Sequence, residues 1–161
     1  MSGPTPTPGL DARMMDLALE AARDAGARGE VPVGAVVYET QSGAILGRGA
    51  NTREHARDPS GHAEHTAILD ACRTIGDWRL NHCSLAVTLE PCPMCAGLIV
   101  NARVGRLVFG TRDPKAGAVR SLYAVCDDDR LNHRCTIVEG VRADACAELL
   151  RAFFKTLRER P

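Results

Sequence analysis

The chain has 161 residues, 45% apolar and 25% charged, and its 20 lysines and arginines balance 20 aspartates and glutamates. That length suits one soluble domain with a single sizeable core, and the neutral balance leaves any affinity for nucleic acid to local clusters of base. No apolar run approaches the roughly 18 residues of a membrane span, no charged segment followed by an apolar one opens the chain, and seven cysteines is an odd number in a chain too long to need disulfide staples. The expected home is the reducing cytoplasm, with no membrane partner.

Residues 1–9, "MSGPTPTPG", have little to bury and read as a flexible tail; residues 10–161 read as the one domain. From Asp11 an amphipathic helix is expected, capped by Asp11, with Met14, Leu17, Ala18, Ala21, Ala22 and Ala25 on one side and Gly26 and Gly29 at its end. "VPVGAVVYE" is a β-branched run and so a strand, "TQSG" its turn, and "AILGRGAN" the partner strand. "TREHARDPSG" is a polar loop with Pro59 and Gly61 near its end, leading into a helix over "HAEHTAILDACRTIG". "SLAVTL" suits a strand buried on both faces. "CPMCAGLIVNAR" follows as a helix, "VGRLVFG" as a strand and "GAVRSLYAV" as a short helix. "DDDR" reads as a solvated charge run, and an amphipathic helix spans about Ala143 to Arg158. Strands alternating with helices predict an α/β fold whose sheet is mostly parallel or mixed, with helices on its faces and sites where strand ends feed helix starts.

Cys92 and Cys95 stand one helical turn apart, and such a pair in a reducing compartment holds a metal, cycles as a redox couple or does nothing. A catalytic zinc keeps three protein ligands and an open position, and a helix N-terminus favours thiolate over thiol. His62, at another helix start, supplies a third ligand; Glu64, two residues on, is placed to move protons for a metal-bound water. A redox pair would leave His62 and Glu64 idle. A structural zinc would need a fourth ligand from His82, Cys83 or Cys72, none of which shows a paired spacing.

"GHAEH" with "TLEPCPMC" resembles the zinc-dependent nucleobase and nucleoside deaminases, which share an H-x-E…P-C-x-x-C signature. "VPVGAVV", "GRGAN", "LEPCPMCAGLIVNARVGRLVFGTRDPKAGA", "LNHR", "VEGV" and "AELLRAFF" carry the likeness from about Val31 to Lys155, towards the bacterial tRNA-specific adenosine deaminases of the cytidine/deoxycytidylate deaminase superfamily. The resemblance implies a three-layer α/β/α sandwich around a mixed five-stranded sheet with helices on both faces. It implies one Zn2+ per subunit held by His62, Cys92 and Cys95, with Glu64 as the catalytic proton shuttle. The implied reaction is hydrolytic deamination of the wobble adenosine to inosine in a tRNA anticodon stem-loop, by zinc-activated hydroxide, in a homodimer. Asn51, Asp113, Lys115, Asn132, His133, Arg134 and Phe154 would then contact the substrate, Phe154 nearer the RNA and Phe153 inside.

Arg103, Arg106, Arg112, Lys115 and Arg120 crowd one stretch with Asp113 alone opposing them, and Arg151, Lys155, Arg158 and Arg160 mark the last helix; both read as phosphate footprints or as solvated faces. Four positions depart from the pattern expected of the bacterial enzymes: Ala50, Gly61, His65 and Arg120. His65 reads as a packed histidine or a donor beside the site. The alternative enzyme is a deaminase of a free nucleobase or nucleoside, of guanine or cytosine type; a catalytically silent zinc fold that binds RNA or a partner is a third reading. Cys72, Cys83, Cys126, Cys135 and Cys146 read as small buried hydrophobes.

Overall fold

A computed structural model describes residues 5–161; the first four residues of the expected tail lie outside the described residues. The elements run α1 (Leu10–Ala27), β1 (Gly34–Glu39), β2 (Ile45–Ala50), α2 (Arg53–Ala56), α3 (Ala63–Ile75), β3 (Cys83–Leu89), α4 (Pro93–Asn101), β4 (Arg106–Thr111), β5 (Thr136–Glu139) and α5 (Ala143–Arg158). The sheet has the order β2-β1-β3-β4-β5. β1 pairs antiparallel with β2 and β3, while β3–β4 and β4–β5 are parallel. This is the expected mixed five-stranded sheet.

Alternation along the central strands divides the core. Ala35, Val37, Leu85, Val87, Leu107 and Phe109 face one way, onto Ala63, Ala67, Ile68 and Ala71 of α3 and Ala96 and Ile99 of α4. Val36, Tyr38, Ala86 and Val108 face the other, onto Leu10, Met14, Met15, Ala18 and Leu19 of α1 and Cys146 of α5. Helices on both faces make three layers. With so few aromatics, close approach replaces bulk. Gly47 and Gly49 of β2 lie so near α3 that a Cβ on either would run into the helix backbone at Ala67 and Ala71 or at Ala63 and Ala67.

Several local expectations are corrected. Asp11 is not the cap of α1: Gly9 holds that position in a left-handed conformation, and Asp11 is inside the first turn. Its carboxylate is engaged across the sheet, accepting from Arg106 Nη2 at 2.8 Å and from the Tyr38 hydroxyl at 2.6 Å. "GAVRSLYAV" forms turns instead of a helix, while four residues of the polar loop after β2 form α2. The fifth strand, "TIVE", is short and only partly buried, so its sequence gives little hydrophobic signal. No helix among the described residues is long and apolar enough to cross a membrane.

Burial alone would raise the Asp11 carboxyl, but the Arg106 and Tyr38 hydrogen bonds outweigh it and hold it below the ordinary 3.8. A depressed carboxylate stabilises the fold fully above its unfolded pKa, and that stability is lost as pH falls through the folded value. Asp11→Asn is expected to cost about 3 kcal/mol at pH 7, as for a buried pair that loses one partner. Unfolding measured against pH should show the gap to wild type narrowing only below the ordinary value.

Candidate metal centre and substrate pocket

The carboxyl ends of β3 and β4 and the starts of α3 and α4 converge on one point. His62 is the N-cap of α3, and Cys92 is the N-cap of α4 with Pro93 in the first helical position. Neither side chain caps its own helix. Both point instead to a common centre, where His62 Nδ1 lies 3.6 Å from Cys92 Sγ and 3.5 Å from Cys95 Sγ. Among the described residues, these three form the one group of histidine, cysteine and acidic side chains placed to hold a metal ion.

The donor set and its spacing fit zinc. An ion about 2.3 Å from sulfur and about 2.0–2.1 Å from nitrogen, with tetrahedral angles, holds those atoms about 3.6 Å apart. The chemistry of the ligands agrees. A hydrogen bond from Cys95, opposed by burial and aided by His62, holds Cys92 down to about 4, so one thiolate is available, while Cys95 keeps the shared proton and is raised. An ion would displace that proton, as metals do when thiols become ligands. None of the alternative fourth ligands, His82, Cys83 or Cys72, joins the group.

Glu64 is buried in the first turn of α3, 4% exposed, and burial pushes its carboxyl up to about 7. A cavity of about 200 Å³ opens beside it, lined by His62, Glu64 and Cys92 together with Val31, Val33, Asn51, Arg53, Leu89, Glu90, Asp113 and Ala116. Asn51 is buried and partly committed: its amide oxygen accepts from Arg53 N at 3.1 Å and its amide nitrogen donates to Val31 O at 3.2 Å. Val31, Leu89 and Asp113 also line a larger cleft of about 880 Å³, shared with Arg112, Lys115, Arg151, Phe154, Lys155 and Arg158. Phe154 is 39% exposed there, whereas Phe153 is half-buried and faces a separate groove against α1.

Asn51, Asp113, Lys115 and Phe154 thus lie at the pocket or its adjoining cleft, but Asn132, His133 and Arg134 do not. His133 Nε2 bonds Val104 O at 2.7 Å, just before β4 begins, and the pocket lies beyond the end of β4. The six residues of β4 separate the two by about 20 Å within one subunit.

The basic stretch after α4 also disperses. Arg106 is buried against Asp11, Arg112 pairs with Glu139, and Arg120 with Asp127, while Asp128 and Arg130 pair with each other, so three of the four "DDDR" residues are in ion pairs. Arg103 lies over the Trp78 ring. Arg120 therefore has a structural partner, and Gly61 sits where a Cβ would crowd Thr52, Arg53 and Asp58 at 3.0–3.1 Å. His65 is half-buried and outside the metal group. Nothing in the structure explains Ala50.

Sequence reasoning missed two buried acids that shape the walls. Glu30 accepts from the N–H groups of Glu54 and His55 and so anchors α2, and Glu90 gathers the loop after β4. Burial would raise Glu90, but the Ser121 hydroxyl and the N–H groups of Arg120, Asp113 and Ser121 lower it to about 2. The only available signal was an acid two residues before Cys92 that the metal did not need.

The purified protein is expected to carry one zinc per chain by elemental analysis. His62→Ala, Cys92→Ser and Cys95→Ser should each lower the retained zinc at least ten-fold after dialysis against a chelator, while Cys72→Ser keeps it.

Comparison with known proteins agrees with this geometry. Residues 9–111 match the family described as "Cytidine and deoxycytidylate deaminase zinc-binding region". The chain is 43% identical over 150 residues to the tRNA-specific adenosine deaminase of Bacillus subtilis, covering 93% of this chain and 92% of the relative. It is 44% identical to the tRNA-specific adenosine deaminase of Haemophilus influenzae, covering 93% and 86%. A solved structure from studies of A-to-I editing by tRNA:A34 deaminases at the wobble position superposes with a TM-score of 0.81 at 40% identity, covering 86% of this chain and 99% of that one. With this much of its length matched, and with His62, Cys92 and Cys95 placed to hold one ion, the chain belongs to the cytidine and deoxycytidylate deaminase family of zinc-binding proteins.

Proposed function

We propose that the protein hydrolytically deaminates the wobble adenosine of a tRNA anticodon loop to inosine. The observation that carries this reading is the continuity of a small cavity at His62, Glu64 and Cys92 with a larger basic cleft that presents Phe154. At about 200 Å³ the cavity is smaller than the roughly 300–1,000 Å³ of most small-molecule sites, so it suits one extruded base. The cleft offers Lys115, Lys155 and Arg158 for phosphates and an aromatic face for an unstacked neighbour, which is how single-stranded RNA loops are held. A free-base deaminase has no use for such a cleft.

Bound to His62, Cys92 and Cys95, zinc supplies a hydroxide nucleophile at neutral pH. The proton traffic belongs to Glu64. With its carboxyl near neutrality it can both take and give, delivering one proton to the ring nitrogen beside the reacting carbon and another to the amino group that leaves as ammonia. Asn51, with its oxygen and one N–H already bonded, offers its second N–H to the nucleoside. Asp113 lies at the mouth of the cavity, where the flanking nucleotide passes. We assign Asn132, His133 and Arg134 no part in holding the reacting base.

We further propose that the protein works as a homodimer in the cytoplasm, where its substrate resides. Met94, Leu122, Tyr123 and Leu131 support a self-association surface, being large apolar side chains left exposed on α4 and the loop after β4. Incubation with an anticodon stem-loop bearing wobble adenosine should yield inosine, with no ammonia from guanine, cytosine or free nucleosides. Release from guanine or cytidine alone would select the alternative enzyme. Glu64→Gln should retain zinc and lower kcat by at least about 10²-fold, the usual worth of a general acid–base.

A further inference from the structure

Glu90 follows β3 directly, and its own N–H donates to Thr111 O at 2.9 Å, tying it to the end of β4. The residue is 2% exposed, and among the described residues its carboxylate forms no salt bridge: the Arg120 guanidinium turns to Asp127 instead. What it meets is the loop. Oε1 accepts from the N–H groups of Val119 at 3.1 Å, Arg120 at 2.6 Å and Ser121 at 2.8 Å. Oε2 accepts from Asp113 N–H at 2.9 Å and from the Ser121 hydroxyl. Residues 113–121 thus fold around one anion held by backbone dipoles, an internal counterpart of an anion-binding nest.

The loop carries pocket chemistry outward from that centre. Asp113 and Ala116 line the cavity and Lys115 the cleft. The Asp113 side chain in turn accepts from the N–H groups of Lys115 and Ala116, so the placement of all three follows from the placement of Asp113. Gly117 completes the wrap, since a Cβ there would collide with the Glu90 carboxyl group.

We propose that Glu90 is a positioning residue for substrate: its carboxylate sets the wall formed by Asp113, Lys115 and Ala116 and thereby controls nucleotide binding. The inference rests on the reading that this cavity takes a nucleotide. Glu90→Gln tests it sharply. An amide can keep its oxygen towards the three N–H groups of Val119, Arg120 and Ser121, and its NH2 can donate to the Ser121 oxygen, but that NH2 cannot accept from Asp113. The loss falls on the one bond that fixes the pocket residue.

The experiment measures steady-state kinetics on the anticodon stem-loop, zinc content and residue-resolved amide hydrogen exchange for wild type, Glu90→Gln and Gly117→Ala. The second variant keeps the carboxylate but displaces it. Both are expected to raise KM about ten-fold, as for one lost hydrogen bond to a charged group, with kcat within about three-fold and zinc retained. Exchange should quicken over residues 113–121 and stay unchanged in α3 and α4. Unchanged KM and exchange in both variants would overturn the proposal, as would loss of zinc or faster exchange throughout the domain, which would make Glu90 merely structural. If the wild type does not turn over the stem-loop, the proposed function fails, and the exchange pattern still decides whether Glu90 sets the wall.

Discussion

The structure depends on two helix starts brought to one point. His62 and Cys92 both stand at N-caps, where a side chain is free to leave its own helix and unpaired N–H groups favour negative charge. Parallel β3 and β4 deliver their carboxyl ends there, and the antiparallel β1–β2 hairpin carries α3 into place beside them. Remove either helix start and the ligands no longer share a centre. The sheet order, the three layers and the cavity all serve that convergence.

Two buried glutamates show how environment decides what a carboxylate does. Glu64 faces the cavity with few donors, and burial pushes it up to about 7, into the range of proton exchange. Glu90, a short distance away, is surrounded by N–H groups and the Ser121 hydroxyl, and these hold it at about 2 despite burial. The same side chain is poised to exchange a proton in one place and is held ionised among donors in the other. The difference lies in the count of hydrogen-bond donors, since both are removed from water.

The metal-binding set, and the buried acid proposed to carry protons beside it, were legible in the chain because His62, Glu64, Cys92 and Cys95 lie in two short motifs at helix starts, where local spacing suffices. The long helices and central strands were legible for a similar reason: their apolar periodicity extends over whole elements. Charge was not. The stretch from Arg103 to Arg120 looked like one basic patch, yet its partners Asp11 and Glu139 come from segments that no local window contains, and Asp127 reaches Arg120 only because the loop folds back. Asn132 to Arg134 lie away from the pocket of their own subunit for a topological reason, since strand direction puts the start of β5 at the far end of the sheet. The expected helix over 117–125 failed because the segment wraps around the Glu90 carboxylate, thirty residues upstream, and its later N–H groups reach back further than one helical step, Leu122 and Tyr123 to Gly117 O and Val125 to Ala118 O.

The bare backbone of β2 has a consequence at a distance. With Gly47 and Gly49 seating α3 on main chain, the imidazole at the head of that helix is levelled by two positions that never touch the ion. Variation there would act like a shim under a lever, tilting the histidine out of alignment while every residue of the reaction chamber stayed intact. A lineage that drifted at either glycine could therefore lose its chemistry with its signature motifs unaltered.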